Sequence, residues 1–175
     1  MGGEIMSPAI ILEFSNLLSQ QQMLEKNLAH LPVGTLSRKT IHGKTYCYLQ
    51  RRVHTKVESK YIAADQIEGT AAALAERKEK EKQLNAISVR ISEIEKAART
   101  MDRPLARRLQ LLRLAAGMDE LSADEKQSSI LFAQAINAMD GAPASKHTAK
   151  LLDEWKAGKR TYLSVLEQTM AYYQA

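Results

Sequence analysis

The sequence predicts a mainly α-helical protein: a long helical hairpin that carries a small three-stranded antiparallel sheet, followed by a small three-helix unit. Three observations indicate this fold class. Aromatic residues make up only 5% of the chain, and Ala, Leu, Gln, Glu, Lys and Arg dominate, which is typical of helical proteins. One short region has the two-residue period of a β-strand. The last third of the chain is divided by residues that commonly cap helices.

A first helix is predicted from Ser7 to Leu31. Its apolar residues recur at spacings of three, four and seven, and glutamines occupy the opposite face. Pro32 and Gly34 end the helix, because both residue types interrupt helical structure. The apolar positions are Phe14, Leu17, Leu18, Leu24, Leu28 and Leu31.

The segment TLSRKTIHGKTYCYLQRRVHTKVESKYI, residues 35–62, predicts a three-stranded antiparallel meander. The letters HG and VHT separate three runs that are rich in Thr, Tyr, Val and Ile. Tyr46 and Tyr48 alternate with Cys47 and Leu49 along the middle run. We therefore expect the two tyrosines on one face of the sheet and Cys47 with Leu49 on the other.

A long charged helix is predicted from Ala64 to about Ala98. The apolar residues of its second half are spaced at three and four, which suits a coiled-coil-like hairpin against the first helix. The same pattern also fits a homo-oligomer formed through the coiled coil, and both alternatives stay open. A helix from Arg103 to Ala116 follows, with Gly117 just past its end. The apolar positions of the long helix are Leu84, Ile87, Ile91, Ile94 and Ala98.

Three short helices are predicted at the end of the chain. The first begins at a capping box and runs to Asp140, and the other two begin at a serine and a threonine. A boundary after Gly117 therefore separates a domain of residues 1–117 from a domain of residues 118–175. The predicted caps are Ser122 with Glu125, Ser145 and Thr161.

Composition and motifs predict a non-enzymatic, cytoplasmic protein without a cofactor or a bound metal. Cys47 is the only cysteine, so neither an internal disulfide nor a cysteine zinc site can form. The sequence has no phosphate-binding glycine loop, nucleophile elbow or HExxH motif, and its four histidines are isolated from one another. No run approaches the roughly 18 apolar residues of a membrane span, and we expect no contact with a membrane.

The meander concentrates positive charge. Residues 35–62 contain 7 Lys or Arg and 1 Asp or Glu, whereas residues 118–175 contain 6 and 8. A basic sheet of this kind binds nucleic acid through phosphate contacts, with Tyr46 and Tyr48 stacking or packing. Alternatively, Lys and Arg keep the edges of a small exposed sheet soluble. The candidate nucleic-acid-binding residues are Arg38, Lys39, Lys44, Arg51, Arg52, Lys56 and Lys60.

Residues 31–84 resemble a small bacterial domain of unknown function. The resemblance rests on a G-(S/T)-(L/I)-x-x-K strand, a YxYLQ strand and a K-x-x-SKYI strand, read here as GTLSRK, YCYLQ and KVESKYI, before a charged helix. It implies an accessory or antitoxin-like protein.

Residues 121–173 resemble the VbhA-type antitoxins, which inhibit Fic-domain AMP-transferases. The shared order is a capped helix ending in acid-Gly, a P-x-S restart, a second helix, and a third helix; DGAPASKHTAKLLDEWKAGK is the strongest fragment. The family's inhibitory motif is Ser or Thr, three residues, Glu, then Gly or Asn. Its acid-Gly pair falls on Asp140 and Gly141, and its hydroxyl position falls on Ile136, which departs from the pattern. The resemblance implies that the acid pairs with a toxin arginine that would otherwise bind the nucleotide.

These resemblances predict an antitoxin-like protein that binds and neutralises a toxin enzyme encoded by an adjacent gene, either a Fic AMP-transferase or another nucleotidyltransferase. Trp155 is the only tryptophan and fits either the core of the three-helix unit or an interface. The alternative function is a DNA-binding accessory or autoregulatory protein that acts through the basic meander. The candidate partner-binding residues are Ile136, Asn137, Asp140, Gly141 and Trp155.

Overall fold

The computed structural model describes residues 6–139 and 144–173. Within these residues the chain forms six α-helices and one three-stranded antiparallel sheet, so the predicted mainly helical class with a small meander is confirmed. The helices are α1 (Met6–Ala29), α2 (Ile67–Met101), α3 (Arg103–Ala115), α4 (Ala123–Met139), α5 (Lys146–Lys156) and α6 (Tyr162–Tyr172). The strands are β1 (Thr35–Ile41), β2 (Lys44–Val53) and β3 (Lys56–Ile62).

The chain divides into two compact units. One unit is Gln20–Arg90, and the other combines Met1–Ser19 with Ile91–Ala175. Helices α1 and α2 each contribute to both units, because the division falls within them.

The sheet of the unit Gln20–Arg90 has the strand order β1-β2-β3. Tyr48 pairs with Tyr61, and Cys47 pairs with Ile62. Cys47 and Ile62 are buried on one face, whereas Tyr46 and Tyr48 lie on the other, as the alternation along β2 predicted.

Gly34 allows the chain to enter β1 directly after the turn. Its φ is +135°, which L side chains rarely adopt. A Cβ atom at this position would lie 2.3 Å from the carbonyl oxygen of Gln50. Only glycine therefore permits this close approach to β2.

Arg77 of α2 caps the C-terminal end of α1. Its Nη1 donates hydrogen bonds to the carbonyl oxygens of Leu28 and Leu31, at 2.9 and 3.1 Å. The Leu28 carbonyl belongs to the last turn of α1, where carbonyls have no partner within the helix and carry partial negative charge, so a guanidinium stabilises it. Leu31 lies two residues past the end of the helix. Glu81, one turn further along α2, forms an ion pair with Arg77, and its Oε1 lies 2.8 Å from Arg77 Nε.

In the second unit, apolar residues of α1, α2 and α3 are buried at helical spacings of three and four. Phe14 and Leu18 lie on α1, and Leu105 and Leu109 lie on α3. The buried positions of α2 are Ile91, Ile94 and Ala98, which belong to the apolar pattern that predicted its packing face.

The predicted caps of the C-terminal helices are present. At the start of α4, the Ser122 backbone N–H donates to Glu125 Oε2 at 2.8 Å, and the Glu125 N–H donates to Ser122 Oγ at 3.3 Å. Hydrogen bonds from the Ser122 hydroxyl and backbone hold the pKa of the Glu125 carboxyl below its ordinary value. Ser145 and Thr161 cap α5 and α6 in the same way, through side-chain oxygens.

A carboxylate in the short turn Met118–Glu120 organises the C-terminal core. Asp119 Oδ1 accepts hydrogen bonds from Trp155 Nε1 and from the backbone N–H of Tyr162, each at 2.8 Å. The Trp155 side chain is only 1% exposed. It packs in a buried cluster with Ile130, Leu151 and Val165 from α4, α5 and α6.

We expect Gly34→Ala to lower the free energy of unfolding by at least about 2 kcal/mol, because it combines an unfavourable φ with overlap of the Gln50 carbonyl. Gly69→Ala is the matched control: Gly69 lies in α2 with open space around its Cβ position, and alanine favours a helix by up to about 1 kcal/mol. Urea unfolding followed by circular dichroism measures both variants. Equal unfolding midpoints would contradict the role assigned to Gly34.

We expect Asp119→Ala to destabilise the protein by about 1–3 kcal/mol, because it leaves the buried Trp155 N–H without an acceptor. The indole environment should also change, which tryptophan fluorescence during denaturation would report. Asp153→Ala serves as the control, since Asp153 is an exposed acid on α5, and we expect a change within about 0.5 kcal/mol. A loss of stability no larger than that of the control would refute this role of Asp119.

Candidate binding surfaces

One face of the sheet carries three tyrosines, of which Tyr61 is exposed and Tyr46 and Tyr48 are half-buried. The rings of Tyr46 and Tyr48 each meet the Tyr61 ring edge to face, with centroids 6.2 and 5.9 Å apart. Lys39 Nζ lies 5.5 Å from the centroid of the Tyr48 ring. Tyr61 is 54% exposed, so the cluster lies on the surface and not in the core. We call this surface the tyrosine face.

The seven basic residues predicted to bind nucleic acid divide between the two faces of the sheet. Because residues paired across antiparallel strands share a face, the strand register assigns each one. Lys39, Lys44 and Arg52 lie on the tyrosine face. The opposite face, which also carries buried Cys47, holds Arg38, Arg51, Lys56 and Lys60.

One basic residue of the opposite face is paired within the sheet. Arg51 Nη2 lies 2.7 Å from Glu58 Oε2, and Arg51 Nε donates to the same oxygen at 2.8 Å. Both side chains are more than half exposed, so this ion pair contributes little to stability. Its carboxylate nevertheless reduces the positive charge that Arg51 offers to a phosphate.

The tyrosine face carries side chains of the types that bind polyanions. Exposed Lys and Arg attract phosphates, and exposed aromatic rings offer apolar area on which bases stack. The three tyrosines are brought together by the strand register, because Tyr61 of β3 lies opposite Tyr48 of β2. Tyr46 and Tyr48 were predicted from the sequence as stacking or packing residues. Tyr61 was not, although pairing SKYI with YCYLQ would have indicated it.

The C-terminal part of α4 is a second exposed surface. Ile130 is buried, but all residues of 131–136 are exposed. Phe132 and Ile136 are 69% and 44% exposed, and their spacing of four residues places them on one side of the helix. Leu131 is exposed beside them. We call residues 131–136 the α4 surface.

The candidate partner-binding residues do not all lie on this surface. Ile136 belongs to it, and Phe132 is an exposed residue that the sequence analysis missed. Asp140 and Gly141 lie outside the described residues, as does the side chain of Asn137. Trp155 is buried among apolar side chains, which agrees with its interpretation as a core residue and leaves it no surface for a partner.

Within the part of the chain that the structure describes, no three His, Cys, Asp or Glu side chains come together as they would to bind a metal ion. The imidazole of His147 stacks on the ring of Tyr172, with centroids 4.7 Å apart. Among the described helices, none combines the length and the hydropathy needed to cross a membrane.

Residues 14–72 match the model of a family described as a domain of unknown function, DUF6788. The match covers 59 of the 175 residues and includes part of α1, all three strands and the start of α2. It overlaps the segment 31–84, where the sequence resembles a small domain of unknown function. No curated protein matches the chain, and no solved structure matches it. The chain is thus similar to this family over its three strands, most of α1 and the first residues of α2.

Proposed function

We propose that this protein is a non-enzymatic, antitoxin-like inhibitor that binds a toxin enzyme through the α4 surface. One observation supports this most directly: six consecutive residues at 131–136 are exposed and include three large apolar side chains. A contiguous apolar surface on a helix is a common feature of binding sites for other proteins. An amphipathic helix that lies in an apolar groove of its partner is a recurring mode of recognition.

Phe132 and Ile136 are the proposed anchors of this interface. Transfer of a fully exposed Phe or Ile side chain into a partner's groove contributes up to about 1.5–3 kcal/mol. The two side chains lie one helical turn apart, so both reach the same groove. We propose that the toxin receives these two side chains in an apolar groove beside its nucleotide site.

Asp140 supplies the proposed inhibitory carboxylate, and Asn137 and Gly141 are the other proposed contacts with the active site of the toxin. In the VbhA-type antitoxins that this segment resembles, the acid forms a charge-assisted bond with an arginine of the toxin. Ile136 occupies the position of the hydroxyl residue and cannot form a hydrogen bond through its side chain. We therefore propose that Ile136 acts by packing, and that the toxin is a Fic AMP-transferase or another nucleotidyltransferase.

The domain organisation is part of the same proposal. We propose that α1 and α2 form a hairpin that carries the sheet, that α4, α5 and α6 form a three-helix unit, and that the domains are residues 1–117 and 118–175. The contacts of Arg77 with the end of α1 support the hairpin. The buried cluster around Trp155 supports the three-helix unit. Self-association through the hairpin is tested by sedimentation of the purified chain.

We expect Phe132→Ser with Ile136→Ser to weaken binding to the toxin encoded by the adjacent gene on the order of 100-fold, the equivalent of about 2.7 kcal/mol. Titration calorimetry measures the affinity, and co-expression measures neutralisation of the toxin. Met23→Ser is the control, because Met23 is similarly exposed (61%) on α1. If the unmodified chain neither binds nor neutralises the product of the adjacent gene, the proposal fails.

A second candidate function is binding of DNA through the tyrosine face. The clustering of Tyr46, Tyr48 and Tyr61 with Lys39 on one exposed surface favours it. Such a protein would act as an accessory or autoregulatory factor, and this function is compatible with inhibition of a toxin through α4.

We expect Lys39→Gln with Arg52→Gln to weaken binding of duplex DNA and to reduce the magnitude of its salt slope by about 2, since each lost phosphate contact accounts for about 1. Fluorescence anisotropy at several salt concentrations measures both quantities. The control, Arg38→Gln with Lys60→Gln, removes one Arg and one Lys from the opposite face. Identical losses in the two double variants would argue against recognition by the tyrosine face.

A further inference from the structure

A cleft rich in arginine lies between the end of α2 and one side of α3. Its volume is about 890 Å³, and both walls belong to the unit that contains Ile91–Ala175. We call it the arginine cleft. The lining residues that matter for its chemistry are Glu95, Arg99, Arg103, Arg107, Gln110 and Arg113.

Positive charge predominates in the arginine cleft. Among the described residues that line the cleft, four are arginines and one, Glu95, carries a carboxylate. Glu95 Oε1 lies 2.7 Å from Arg113 Nη1. Asp102, at the corner between α2 and α3, accepts a hydrogen bond from the backbone N–H of Leu105 and caps α3. The Asp102 carboxylate therefore already accepts a hydrogen bond at the start of α3.

The arginines of α3 have two different roles. Arg108 forms an ion pair with Glu167 of α6, which helps join the two helices. Arg103 and Arg107 are exposed and line the cleft.

The distribution of the arginines fits a ligand with several phosphates. Arg103 and Arg113 are separated by roughly 15 Å along α3, given a rise of 1.5 Å per residue. A single phosphate ion is too small to contact arginines at both ends of this distance. Guanidinium groups bind phosphate oxygens through paired N–H donors, and this geometry makes arginine the preferred residue for phosphate recognition.

The lining also indicates which part of the ligand is recognised. None of the described residues that line the arginine cleft is aromatic, so these residues offer bases no ring on which to stack. We propose that the arginine cleft binds the sugar–phosphate backbone of a nucleic-acid strand, independently of base sequence. This site is separate from the tyrosine face and does not depend on either function proposed above.

The test uses the full chain and two labelled probes, a short DNA duplex and the corresponding single strand. We expect Arg103→Gln with Arg107→Gln to weaken binding of the probe that the wild-type chain prefers by about tenfold or more, and to reduce the magnitude of its salt slope by about 2. The matched control is Lys78→Gln with Lys82→Gln. It removes two exposed charges with the same spacing from α2.

Three results would overturn the proposal: no binding of either probe by the wild-type chain, equal affinities of the cleft and control variants, or equally effective competition by polyglutamate. Hydrogen–deuterium exchange on the wild-type chain provides a measurement that needs no variant. We expect the DNA probe to slow exchange in α3, and unchanged exchange there would also refute the site. Loss of binding in Lys39→Gln with Arg52→Gln, without loss in the cleft variant, would assign nucleic-acid binding to the tyrosine face alone.

Discussion

Asp119 Oδ1 accepts hydrogen bonds from the Trp155 indole and from the first backbone N–H of α6. One carboxylate therefore connects the turn Met118–Glu120 to both α5 and α6. The acid stands at the N-terminal end of α6, where the helix dipole favours negative charge and the amide has no partner within the helix. Burial of Trp155 depends on this bond, because a buried N–H without an acceptor is costly. The apolar cluster around Trp155 depends on this interaction. The start of the exposed part of α4 adjoins that cluster and so depends on it as well.

The sheet is organised by a different constraint, the alternation of side chains along a strand. Its buried face contains Cys47 and Ile62, and this burial obliges Tyr46 and Tyr48 to face outward. The register of β2 and β3 places Tyr61 on the same surface. A residue type that commonly fills cores is thus exposed here as a cluster, together with Lys39. Gly34 makes this arrangement possible, since a larger residue would collide with β2.

Positive charge has several separate uses in this molecule. Arg77 stabilises carbonyl groups at the end of α1, and Arg108 joins α3 to α6. Arg103 and its neighbours instead line an open cleft. Net charge and local counts do not distinguish these uses, because the role of an arginine depends on which acceptors the fold brings within reach of its long side chain.

Features that depend on neighbouring residues follow from the amino-acid sequence alone. The alternation in YCYLQ separated the tyrosines from Cys47, and short-range patterns located the caps at Ser145 and Thr161. Which distant residues meet depends on how the helices and strands pack. The partners of Asp119 lie 36 and 43 residues away in the chain, and no local pattern marks them. The same holds for the α4 surface, since the exposure of Phe132 depends on what packs nearby. Periodicity and capping depend on interactions between near neighbours in the chain, whereas burial arises from contacts between segments that are remote in sequence.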